Sequence, residues 1–92
     1  MTKNETLNKG DYVLATKWHD GDSQDPWYVG FFEELYNERY YVVDSEGNNV
    51  RPGGFRRCEK ISSDIGRHLV ENSEEITLNS VHLWDYINSR AF

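Results

Sequence analysis

The chain has 92 residues, of which 37% are hydrophobic and 14% aromatic, and a formal net charge of −6. That length holds one domain with a small core, which large rings burying roughly 150–250 Å² each help to fill. No apolar run approaches the roughly 20 residues of a membrane span, no secretory leader is read, and a lone cysteine, Cys58, excludes an internal disulfide framework, so a cytoplasmic protein without membrane contact is expected.

Residues 1–10 are polar and are expected to form a flexible N-terminus. From Asp11 onward, "DYVLATKW" sets Val13 and Ala15 against Leu14 and Thr16, the alternation of a strand. The loop "HDGDSQDP" follows, dense in turn formers. Its His19, Asp20, Asp22 and Asp25 suggest a cation site, but the EF-hand register fails. Gln24 stands at the fifth position, Asp25 replaces the glycine and Phe31 replaces the bidentate glutamate. The loop is read as a turn, and neither a metal nor a cofactor is expected.

"WYVGFFEEL" reads as a second strand, with Trp27, Val29 and Phe31 on one face and Tyr28, Gly30 and Phe32 on the other. Gly30 within it predicts a bend or bulge. "YNE" turns the chain, "RYYVVD" makes a third strand, and "SEGNN" is a hairpin loop in which Gly47 and Asn48 suit left-handed backbone. After Pro52-Gly53-Gly54 a fourth strand is predicted from Phe55. Composition then changes. The serines at 62 and 63 are candidate helix caps, and Ile61, Ile65, Leu69 and Ile76 are spaced in a loose helical rhythm, with Gly66 as a weak point. Ser80 is the candidate cap of a second helix, with Val81, Trp84 and Ile87 on one stripe. The expected fold is therefore mainly β. Residues 11–61 form a small barrel of four or five strands, and two short C-terminal helices within 62–92 pack on it.

Residues 10–59 resemble a Tudor-type domain, a small strongly bent barrel of the Src-homology-3 kind. The resemblance rests on Gly10-Asp11, Ala15, Trp18-His19-Asp20-Gly21, "PWYVGFF", "YYVVDSEGN" and Val50 with Phe55-Arg56-Arg57. The whole chain also resembles small uncharacterised proteins of phages and prophages. In the Tudor family an aromatic cage holds a methylated lysine or arginine by cation–π attraction. The resemblance implies Trp18 and Trp27 as two walls and Asn48 as the polar group. Val43 and Glu46 fall where other walls would stand, and Glu46 brings charge in place of a ring.

Cys58 has no recognisable catalytic surroundings that would pair it with His68 or His82, and Gly53-Gly54 lacks the Lys-Ser/Thr of a phosphate loop, so no enzyme is expected. Charge is uneven. Residues 11–50 carry −7, whereas residues 51–68 carry +3 through Arg51, Arg56, Arg57, Lys60 and Arg67. The expected function is non-catalytic recognition of a protein or peptide through an aromatic rim of Trp18, Trp27 and Tyr28, beside Glu46 and Asn48. The alternative is a nucleic-acid role, either direct binding through those five basic residues or acidic mimicry of DNA against a host protein.

Overall fold

The tyrosine- and valine-rich segments become four antiparallel strands in the computed structural model, which describes residues 7–17, 26–72 and 83–90. They are β1 (Tyr12–Thr16), β2 (Tyr28–Tyr36), β3 (Arg39–Val43) and β4 (Arg57–Lys60), and two helices follow, α1 (Ser63–Glu71) and α2 (Leu83–Asn88). The sheet order is β3-β2-β1-β4. The mainly β expectation, with four strands and two short helices, holds. The sheet is unclosed.

Strand alternation sorts the apolar residues onto two faces, and both faces are covered. On one lie Leu14, Trp27, Val29 and Ile61, buried under Leu69 of α1 and Leu83 and Ile87 of α2. On the other, inside the curl of the sheet, lie Val13, Ala15, Phe32, Val42 and Phe55. The curl brings the chain ahead of β4 against β3, where Tyr40 and Phe55 each donate an N–H to the other's carbonyl at 2.8 Å. The predicted fourth strand accordingly begins two residues late, at Arg57, because Phe55 is committed to this bridge.

The predicted irregularity at Gly30 is displaced. The register shift in β2 falls between Phe32 and Glu34. Gly30 answers a different demand: a Cβ there would stand 2.5 Å from Val42 Cγ1 and 2.8 Å from the Val43 carbonyl oxygen. The glycine lets β2 press against its neighbour.

The β2–β3 turn carries positive φ at both Asn37 (56°) and Glu38 (63°), the geometry that matches strand twist in tight hairpins. β2 outruns β1, so Leu35 and Tyr36 are left 57% and 65% exposed near this turn.

Ser62 caps α1, its Oγ accepting the Ile65 N–H at 3.2 Å, and Asp64 favours the positive end of the helix. Gly66, a weak helix former, marks the closest approach of α1 to the sheet, since a Cβ there would run into the Tyr12 ring. His68 Nε2 and the Tyr86 hydroxyl, 2.8 Å apart, tie α1 to α2. On the stripe predicted for the second helix, Ile87 is buried and Trp84 half-buried, while Leu83 joins the core; Ile76, Ser80 and Val81 lie outside the described residues.

Residues 7–10, the described part of the expected N-terminal arm, make contacts with the sheet. Gly10 donates to the Phe32 carbonyl at 2.8 Å, the Asn8 N–H reaches Asp11 Oδ2 at 2.8 Å, and Leu7 packs against the inner cluster. The Gly10–Phe32 backbone bond and the half-buried Leu7 set this stretch beside β2. No helix among the described residues is long and apolar enough to cross a membrane.

Candidate functional site

β2 carries the question of the site because Val29 and Phe31 continue along one of its faces the alternation that Trp27 starts just ahead of it. At its head Trp27 is only 6% exposed. The Trp84 ring meets it edge-on at 5.5 Å, and the Arg57 guanidinium lies 5.6 Å from its centroid. This corrects the expectation of an exposed rim tryptophan: α2, arriving from far along the chain, covers the ring. Trp27 therefore offers no open wall for a cage. Trp18 and the aspartate loop lie outside the described residues.

Four residues further on, among the described residues, the cover is thinner. Tyr12, Phe31 and Val43 form a row across β1, β2 and β3, since Tyr12 pairs with Phe31 and Phe31 with Val43. Directly opposed side chains on one face lie about 4.5–5.5 Å apart at Cβ. Gly66 of α1 sits over Tyr12, and the Tyr12 and Phe31 rings are 4.6 Å apart. Phe31 and Val43 remain half-buried. Beside them opens a pocket of about 320 Å³ with a mostly apolar wall. Lys9 and Gly10 border it on one side, Glu33 on a second, and Asp44, Ser45 and Gly47 of the hairpin loop on a third.

The hairpin wall is held by one carboxylate. Asp44 Oδ1 accepts the N–H of Glu46 at 2.9 Å and that of Asn48 at 3.0 Å. The Asp44 N–H in turn donates to the Asn48 carbonyl at 2.9 Å, and Gly47 turns the chain at φ +86°. This is the ordinary capacity of aspartate to satisfy a turn's backbone. Both side-chain bonds fall on Oδ1, so Oδ2 keeps its accepting capacity. Opposite, Lys9 Nζ lies 3.5 Å from Glu33 Oε2.

Among the described residues of the predicted set, Trp27 is core. Tyr28 points to the other face of the sheet, where it packs on Phe55 with ring centroids 5.4 Å apart. Glu46 and Asn48 belong to the exposed hairpin that walls the pocket. The pocket's own residues, Lys9, Phe31, Glu33 and Asp44, carry no mark in the sequence beyond Phe31 falling on the Trp27 face.

Several of the basic residues have partners of their own. Arg56 precedes β4 and is exposed, whereas Arg57 opens the strand and is half-buried. Arg57 Nε donates to Glu59 at 2.8 Å, Lys60 lies 3.6 Å from Asp11, and Arg51 Nη1 donates to the Gly54 carbonyl at 2.5 Å. Arg67 stands on α1.

Cys58 packs at the edge of the inner cluster, and burial, with Glu59 adding, pushes its thiol up to about 12. At neutral pH it is a protonated, weakly nucleophilic group. Among the described residues no group of three or more His, Cys, Asp or Glu side chains is placed to hold a metal. Compared with family models, curated proteins and solved structures, the chain matches none.

Proposed function

We propose that this chain is a non-catalytic binding module that receives a side chain of a protein or peptide in the pocket beside Phe31 and Val43. The observation that carries the reading is the drop from buried Trp27 to half-buried Phe31 and Val43 along one face of the sheet among the described residues. A mostly apolar pocket, walled by a braced hairpin, stands beside the half-buried pair. Apolar pockets with a few polar groups at the mouth are the usual form of small recognition sites. The Cys58 thiol, held in its protonated form, supports a role without nucleophilic chemistry.

The proposal retains a Tudor-like bent barrel as the underlying fold. Support comes from the pairing of β4 with β1 and from the Tyr40–Phe55 bridge between the two ends of the sheet. It moves the binding position from the loop at Trp18 and Trp27 to the hairpin side, where Glu46 and Asn48 already stood among the expected residues.

The test is selection from a random peptide library, repeated with Val43→Asn. Peptides enriched on the natural chain should bind the variant at least about tenfold more weakly, as expected when a central anchor contact is lost. A thermal melt should show the variant still folded. Peptides that bind both proteins equally would place the site elsewhere.

A further inference from the structure

From the ion pair at the mouth of this pocket we infer that its ligand is a cationic side chain, and that the chain's own Lys9 competes for the same place. The inference rests on the binding reading above and adds the ligand class and a regulatory contact. The floor at Phe31 and Val43 is apolar and suits the methylene stem of a lysine or arginine, which buries its carbons while its charge stays wet. Two carboxylates, Glu33 and Asp44, border the opening, and Asp44 Oδ2 takes no part in bracing the turn. They stand in the acidic stretch of the chain, residues 11–50, which carries −7. A neutral or anionic ligand would leave these acids uncompensated.

The molecule itself shows which charge the mouth accepts. Gly10 and Asn8 anchor the arm, and the arm delivers the Lys9 ammonium to within 3.5 Å of Glu33. The Lys9 side chain is 74% exposed. An exposed pair of this kind contributes little and is readily exchanged. Lys9 is therefore a weak internal competitor that yields to a ligand that also fills the apolar floor.

The experiment is an NMR titration of the ¹⁵N-labelled full chain with two probes. One is the blocked tripeptide Ac-Gly-Lys-Gly-NH₂. The other is the same peptide with norleucine, which keeps the stem and lacks the ammonium. The lysine peptide should shift the amides of Gly10, Phe32, Asp44 and Gly47, and the norleucine peptide should bind several-fold more weakly. Lys9→Gln should tighten the lysine peptide by about twofold to fivefold at low salt, the scale of one exposed ion pair, and added salt should erase that gain. Glu33→Gln should weaken the same peptide. A purely structural Lys9 would give the opposite sign, because loosening the arm would weaken binding. Equal binding of the two peptides, or no gain in Lys9→Gln, overturns the inference while leaving the pocket reading in place. If neither peptide moves these amides, the cation preference is likewise overturned, and the library selection alone decides the pocket.

Discussion

Trp27, immediately ahead of β2, and Phe31 within it lie four residues apart on one face, yet they have opposite fates. Trp27 is enclosed by Trp84, Arg57 and the core around Leu69 and Leu83, whereas half-buried Phe31 packs its ring on Tyr12 and borders a pocket. Strand pattern is identical at both positions, so it cannot be the cause. The cause is where the helices lie. α1 and α2 cover the end of the face that holds Trp27, Val29 and Leu14, and the cover thins past Tyr12. A sheet face in this molecule is core or site according to what later residues place on it.

The contrast can be broken most severely by removing the cover. A chain ending at Ser62 loses Leu69, Leu83, Trp84 and Ile87 together and bares Trp27, Val29 and Leu14. At about 1.5–3 kcal/mol for each large apolar side chain re-exposed, the loss matches the whole stability of about 5–15 kcal/mol expected of a domain. Such a chain should fail to melt cooperatively or should aggregate. A cooperative, monomeric melt would mean that the helices are an appendage.

A finer cut lifts α1 off the sheet without deleting it. Gly66→Ala gains about 1 kcal/mol of helix propensity, but its new methyl must displace the Tyr12 ring and the strand beneath it. Overpacking of this kind costs about 1–3 kcal/mol, so the melt should fall, and Tyr12→Ala in the same chain should restore part of the loss. A rise in stability from Gly66→Ala alone would show that the helix stands further off.

A smaller effect of opposite sign is expected at Thr16, which is fully buried with its hydroxyl lacking a hydrogen-bond partner. Thr16→Val removes the unsatisfied group and should raise stability by about 1 kcal/mol. Denaturant titration reads this directly, and a loss of stability would mean that the hydroxyl is satisfied in solution.

Cys58 provides a pH-dependent probe. Its folded thiol sits at about 12, above the ordinary value of 9.0. The unfolded chain therefore releases this proton first as pH rises. The contribution is whole below pH 9.0 and is lost between 9.0 and about 12. Alkaline melts of Cys58→Ala should decline less steeply across that window than those of the natural chain. Identical alkaline slopes would show that the thiol is not held in its protonated form.

Much of the sheet was legible because both of its faces are apolar. "DYVLATKW" and "WYVGFF" alternate cleanly, and Val13 and Ala15 do separate from Leu14, as Tyr28 and Phe32 do from Trp27 and Val29. The helix starting after Ser62 was legible from its cap. The fate of Trp27 was not: its partner Trp84 lies 57 positions downstream, and no local pattern reports such a contact. Gly30 and Gly66 read as weaknesses, whereas both are close approaches that only the packed structure explains. The pocket was hidden for a related reason. Lys9 sits in a polar stretch that reads as frayed, and its anchorage depends on Gly10 finding the Phe32 carbonyl across the fold.

The claim that cover rather than strand pattern divides core from site is tested most directly by denaturant unfolding of Trp27→Ala beside Val43→Ala. The account predicts a loss of about 3–5 kcal/mol at Trp27, the usual cost of truncating a buried large ring. At half-buried Val43 it predicts about 1 kcal/mol or less. Near-equal losses, or a Trp27→Ala protein as stable as the natural chain, would contradict it.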